Sequence, residues 1–434
     1  MNKTTLFLVI FAALCHSLPA QPPTPAPPQS GAILILGATA HLGNGQVLPN
    51  SAIAFEAGEL TLVSNAATIR VDQSKFSKIF DATGKHVYPG FIAANARLGL
   101  VEIDAVRATQ DFAETGALNP NARVLVAYNT DSDVQPTVRS NGVLEAQVVP
   151  SSGTIAGSSA VVQLDAWNWE DAALRADDGI HLNWPNPSPR RRFGPAPPNA
   201  QEDQGNQYQQ NIDALNRYFG EAKAYAQSAN PEVKNPRFEA MRGLFNKTQN
   251  LYIHTDNAKT MQEAVLFAES FGARPVLIGA SDAWMITDFL REHQVPVVLS
   301  RTQRLPSRDD EDIDQPFKTA AALHQAGIAF VLSIDGAWEQ RNLPFQAGQA
   351  VGFGLPYEAA VQAITLSPAA IMGIGGTTGS LEVGKDATLF ISDGDALDMR
   401  TNKVTAAFIQ GREINLDNKQ KLLHRRFEEK YNRQ

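Results

Sequence analysis

The sequence predicts an α/β fold, one large parallel barrel with a smaller β-rich module, and three observations carry that expectation. Strand-like and helix-like stretches alternate through the middle of the chain, which is the pattern of a parallel α/β barrel. Short strands and hairpin signals gather instead near both ends. The 434 residues are too many for one small core and suit a barrel plus one module.

The first stretch is set apart from the fold. Residues 1 to about 20 read as a secretory signal, with Lys3 as the positive start, Leu6 to Leu14 as the apolar centre and Leu18-Pro19-Ala20 as the cleavage site. That apolar run is too short to span a bilayer, so no membrane span is expected in the mature chain. The single cysteine, Cys15, lies inside this signal. A mature chain without cysteine has neither disulfides nor a thiol nucleophile. The expected location is the periplasm or the exterior. Residues 21–30 are Pro-rich and read as a disordered or extended lead-in.

Composition narrows the class of partner. A hydrophobic fraction of 43% with 19% charged residues is that of a soluble globular protein. The formal net charge of -8 argues against a nucleic-acid surface. A small-molecule ligand is the expected partner.

The elements follow in order. Ala32 to Thr39 reads as a strand, and Ala52 to Leu60 as a hairpin. Lys85 to Leu100 is an apolar run, a Pro-Gly break and a second apolar run that ends in small and polar residues. That is how a buried strand looks when its C-terminal end opens on a site. Pro136 to Ser140 can form a helical turn before a strand from Gly142 to Pro150. Ser151 to Ser159 is Gly/Ser-rich and reads as a flexible connection, followed by a strand at Ala160–Asp165. Leu251 to Asp256 is a strand with polar residues at its end, and Thr260 to Phe271 an amphipathic helix closed by Gly272. Further strands are read at Pro275–Ile278, Val295–Ser300 and Ala329–Asp335, and closing helices between Pro356 and Ala370. Leu381–Ile391 and Val404–Ile414 read as a strand and a hairpin.

About 184–236 breaks the pattern with prolines, Arg190-Arg191-Arg192 and a Gln/Asn-rich tract, with a helix from Asp213 to Ser228 inside it. An insertion of this length belongs on the surface, as a flexible loop, a substrate lid or a partner-binding arm. Trp167 and Trp169 read as core packing or as the lining of a ligand pocket. No phosphate-binding loop, dinucleotide fingerprint or nucleophile elbow is present.

The stretch Pro89-Gly90-Phe91-Ile92-Ala93-Ala94-Asn95-Ala96-Arg97-Leu98 resembles the opening of the metal-dependent amidohydrolase superfamily, especially its imidazolonepropionase-like members. There the run is approximately Pro-Gly-aliphatic-Ile-Asp-Ala-His-x-His-Leu. Gly379-Ser380-Leu381-Glu382-Val383-Gly384-Lys385-Asp386-Ala387-Thr388 resembles a second phrase of that family, Gly-x-Leu-x-x-Gly-Lys-x-Ala-Asp, with Thr388 in place of the final Asp. The resemblance implies a distorted (β/α)8 TIM barrel over 89–379 and a composite β-sandwich from 31–88 and 380–418.

It also implies a site. Family members bind a divalent metal such as zinc with side chains from strand ends one, four, five, six and eight. Asn95 and Arg97 stand where the first two histidines belong and become candidate substrate-binding residues. His254 matches the fifth strand end as a metal ligand, and Asp335 the eighth as ligand and general base. The sixth strand, Val276 to Ser281, has no histidine, and no lysine occurs between His86 and Lys223. His181 falls near the fourth strand end, as a site residue or a packed or surface histidine. The implied activity is hydrolysis of a non-peptide C–N bond. The competing reading is a catalytically degenerate relative that binds a ligand or partner, with zinc held weakly or not at all.

Overall fold

The structure, a computed structural model, describes residues 24–187 and 200–432. The expected secretory signal, the first residues of the lead-in and Arg190-Arg191-Arg192 lie outside the described residues. The described part of the lead-in is hydrogen-bonded: the Ala26 amide donates to Asp165 Oδ2 (2.8 Å), and Gln29 Nε2 to the Phe55 carbonyl (3.0 Å).

Both chain ends build one sheet. Its strands are β1 (Ile33–His41), β2 (Val47–Glu56), β3 (Glu59–Asn65), β4 (Lys78–Asp81), β5 (His86–Pro89), then β14 (Leu389–Ser392), β15 (Val404–Ile409) and β16 (Arg412–Glu413). The order is β16-β15-β14-β5-β1-β2-β3, with β4 also on β1. β5 is where the ends meet, antiparallel to β14 and parallel to β1. β1 changes partner along its length: Ile33–Leu36 pair with β4, Thr39 and Ala40 with β5. The switch falls at Gly37, whose φ of +85° suits glycine and whose Cβ, if present, would come within 2.5 Å of Thr83 Oγ1. The sheet therefore folds over on itself, bringing Phe55 of β2 to 5.0 Å from Phe408 of β15 between ring centroids. Ile35, Ile53, Val87, Leu389 and Ile391 complete that sandwich core.

The second sheet is the barrel: β6 (Phe91–Ala96), β7 (Val143–Val148), β8 (Ile155–Gln163), β9 (Ala173–Asn183), β10 (Asn250–Thr255), β11 (Arg274–Gly279), β12 (Val297–Leu299) and β13 (Phe330–Leu332), adjacent in that order. From β9 to β13 all neighbours are parallel. β8, however, is antiparallel to both β7 and β9. This departs from the expected regular alternation. The six residues between β7 and β8 leave no room for a crossover helix, and an antiparallel neighbour needs none. The Gly/Ser-rich stretch read as a flexible connection is mostly β8 itself, with Ile155 to Gln163 all buried. Its small residues serve close approach: a Cβ on Gly157 would sit 2.4 Å from the Ala122 carbonyl oxygen.

The seam between β13 and β6 is bridged by single bonds. Ile92 N donates to the Ile364 carbonyl (2.8 Å), Leu332 N to that of Ala363 (3.1 Å), and Arg97 N to that of Gly336 (3.1 Å). Inward residues Ile92, Ala94, Val161, Tyr252, Val276, Ile278, Val298 and Val331 fill the lumen. Ala369 and Met372 plug its N-terminal end, so the barrel is packed and only its C-terminal mouth is left for a site.

The inserted segment carries a helix over Ala200–Gln227, longer than expected. Leu215, Phe219 and Ala222 bury one face of it against the barrel, where Phe219 meets Phe267 at 4.9 Å. Helix Ala258–Phe271 ends on Gly272 with φ +77°, as expected of a left-handed cap. Trp167 is 66% exposed, so it is not core. Among the described residues no helix is long and apolar enough to cross a membrane.

Candidate functional site

A cavity of about 390 Å3 opens at the C-terminal mouth of the barrel. Asn95 from β6, His254 and Thr255 from β10, Asp256 just beyond, Ser300 after β12 and Asp335 after β13 line it. Trp184 to Pro187, the start of the inserted segment, form its outer wall. A larger cavity of about 530 Å3 lies near the start of β10, but its cations are already engaged: Arg123 pairs with Asp177, and Arg175 donates to the carbonyls of Met372 and Thr248. We take the mouth as the site because strand-end polar groups converge there.

Asn95 has φ +54°, a left-handed backbone that asparagine tolerates better than most residues. The β6–β7 register shifts across it, between Ala93 and Ala96. Its amide donates to Gln147 Oε1 (3.3 Å), and its Nδ2 to Asp335 Oδ1 (3.4 Å). Gln147 is itself held from beneath. It donates to Asp178 Oδ2 (2.8 Å), which also takes Tyr252 OH (2.7 Å), while Ser159 Oγ donates to Asp178 Oδ1 (2.6 Å). A buried polar network thus supports the floor of the mouth. Burial pushes the Asp178 carboxyl up, opposed by those three hydrogen bonds.

His254 is partly buried at the cavity wall, and loss of hydration takes its pKa down to about 4; Asp256 opposes this and Arg97 adds to it. It is therefore a neutral imidazole at pH 7. Its Nε2 lies 2.9 Å from Nδ1 of His181 on β9, so one ring donates and the other accepts. His181 stacks on Tyr252, with centroids 4.8 Å apart, and burial holds it far below its ordinary pKa. Asp335 is raised by desolvation, with Arg97 and Arg301 opposing and Asp256 and Glu339 reinforcing. Arg97 does not line the cavity. Its Nη2 donates to Ser151 Oγ (3.0 Å), and its guanidinium covers the Phe112 ring at 4.4 Å. It acts on the site through its charge.

The structure thus brings Asn95, His254 and Asp335 to one cavity, sets Arg97 beside it and joins His181 to His254 from behind. Asp256, Ser300 and Trp184 line it without having been singled out. The polar end of the strand Leu251–Asp256 was the available signal for Asp256. At the sixth strand end Gly279 has φ +93°, and a Cβ there would come within 2.8 Å of Asp256 Oδ1. A bulky ligand residue does not fit at that position.

The superfamily's divalent metal can be tested against these donors. Among the described residues no three His, Cys, Asp or Glu side chains cluster so as to hold an ion. The two imidazoles face each other, Asn95 is a weak donor, and the Arg97 charge reaches both His254 and Asp335. This donor set does not fit a complete superfamily metal centre.

The amidohydrolase family pattern matches residues 220–414. No curated protein matches the chain by sequence. Among solved structures, an amidohydrolase from Thermotoga maritima MSB8 is similar at 22% identity and a TM-score of 0.74, covering 88% of this chain and 99% of that one. Molinate hydrolase is similar at 17% identity and a TM-score of 0.55, over 89% of this chain and 95% of its own. An adenosine deaminase from Xanthomonas campestris, solved with bound zinc, gives 15% and 0.55, over 92% and 98%. At such identities the structures speak to fold. Residues 220–414 thus match the amidohydrolase family, and the barrel with its sheet built from both ends shares the fold of the solved amidohydrolase structures.

Proposed function

We propose that this protein is a hydrolase acting on a non-peptide carbon–nitrogen bond, exported to the periplasm or beyond. The observation that carries the reading is the convergence of Asp335 with neutral His254 and Asn95 on one cavity at the mouth of an amidohydrolase barrel. Asp335 is the general base. Its carboxylate takes a proton from water, the resulting hydroxide attacks the carbonyl carbon, and the departing nitrogen recovers that proton as the C–N bond breaks. Desolvation raises the Asp335 pKa and strengthens it as a base, and Asn95 Nδ2 orients it. The neutral amide and imidazole offer hydrogen bonds to the carbonyl oxygen as charge develops there.

The test is release of amine from a panel of simple amides. Asp335→Asn should lower kcat at least about 100-fold with an unchanged melting temperature. Turnover that survives this substitution would remove Asp335 from the mechanism.

A second reading is favoured by the incomplete donor set: a degenerate relative that binds a small ligand without turning it over, with zinc held weakly or not at all. Elemental analysis separates the two. Near-stoichiometric zinc, lost in both His254→Ala and Asp335→Asn, overturns weak binding. Absence of turnover with and without added zinc, alongside retained ligand binding, favours the second reading. Export rests on residues 1–20, and fractionation of expressing cells tests it.

A further inference from the structure

Beside the mouth lies a second cleft, of about 260 Å3, that the chemistry above does not use. It runs between the inserted helix (Ala214, Leu215), the approach to β8 (Leu118, Thr154) and the end of β9 (Asn183). Among the described residues no charged side chain lines it. Pro185 is a wall of both this cleft and the mouth cavity. The corner they share is stiff. Trp184 N donates to the His254 carbonyl (3.2 Å), and Trp184 Nε1 to Tyr208 OH (3.1 Å), which in turn donates to Glu263. The Trp184 ring also meets the edge of Phe267 at 5.3 Å.

A polar cavity adjoining an uncharged, largely apolar cleft across one fixed residue is complementary to an amphiphilic molecule. We propose that the cleft is a subsite for the apolar arm of the ligand whose polar head occupies the mouth. The substrate class is then an amide, or a related C–N compound, bearing a short aliphatic or aromatic arm. The scissile bond rests on the hydrolase reading; the subsite does not, since a ligand that is never cleaved would occupy it equally.

The probes are the 4-nitroanilides of acetic and hexanoic acid. Equilibrium dialysis measures their binding, and the yellow 4-nitroaniline reports any cleavage. Four further methylenes in an apolar subsite should tighten binding of the hexanoyl probe about tenfold or more. Ala214 is exposed, so Ala214→Phe fills the cleft without entering the core. It should reduce the hexanoyl preference to less than about twofold, leaving acetyl binding and the melting temperature unchanged. Asp335→Asn should keep the preference. Equal binding of the two probes to the wild type, no measurable hexanoyl binding, or a preference that Ala214→Phe leaves intact would each overturn the subsite. Preference without nitroaniline release supports the subsite and counts against the hydrolase reading alone.

Discussion

The two halves of the barrel are built differently. From β9 to β13 it is parallel and helix-connected, and β10 to β13 lie inside the segment that matches the amidohydrolase family. From β6 to β8 it bends through a register shift, a left-handed asparagine and an antiparallel strand. The candidate site draws on both. The regular half supplies His254 and Asp335; the irregular half supplies Asn95 and, from beside the cavity, the Arg97 charge. Departure from the family pattern at the first strand end thus coincides with departure in backbone geometry, and the polar network around Asp178 joins the two halves.

The sharpest way to break that join is Asp178→Ala. It removes the acceptor of Tyr252 OH and the shorter of two acceptors of Gln147 Nε2 and of Ser159 Oγ, all in a buried interior. An unpaired buried donor costs about 1–3 kcal/mol and each further lost hydrogen bond about 1 kcal/mol, so a loss of about 3 kcal/mol or more is expected in urea unfolding. A loss below about 1 kcal/mol would mean that the halves are held together elsewhere.

The second test separates the halves by pH. His254 titrates near 4 when folded against an ordinary 6.5, so below pH 6.5 the unfolded chain binds more protons. Stability should fall as pH drops from about 6.5 to about 4, by about 3 kcal/mol in all from this residue. Glu145, on β7, has the opposite sign. Burial raises it to about 8, with Thr378 hydrogen bonds opposing, so above 4.5 the folded chain holds the extra proton and stability declines toward pH 8. Glu145→Gln should therefore gain about 4 kcal/mol at pH 8 and almost nothing at pH 4. Melting curves of the two variants against pH check this. An acid arm unchanged in His254→Leu, or an alkaline arm unchanged in Glu145→Gln, would reassign it.

The smallest effect belongs to Trp167→Ala, expected within about 0.5 kcal/mol because the side chain is largely exposed. A larger cost would show that this indole packs against something in solution.

The contrast between the halves also explains what was legible in the sequence. Strand–helix alternation and Gly272 showed the regular half directly, because period and capping are local signals. The antiparallel β8 was hidden: Ser151 to Ser159 has the composition of a loop, and its small residues answer to Ala122, distant in sequence. His254 and Asp335 were readable as polar residues ending apolar runs. His181 remained ambiguous, since only tertiary packing brings its Nδ1 to His254. Asp178 carries no local mark, and nothing near Arg97 in sequence reveals that Ser151 and Phe112 hold it aside.

The sheet that joins both chain ends has a kinetic consequence. β5 pairs with β14 some 300 residues later, so the N-terminal strands keep an open, unpaired edge until nearly the whole chain exists. Closing so long a loop is slow, and the edge is a template for pairing with other chains meanwhile. Completion of this module is therefore expected as the last cooperative step of folding, after the barrel has brought Pro89 and Leu389 within reach of one another.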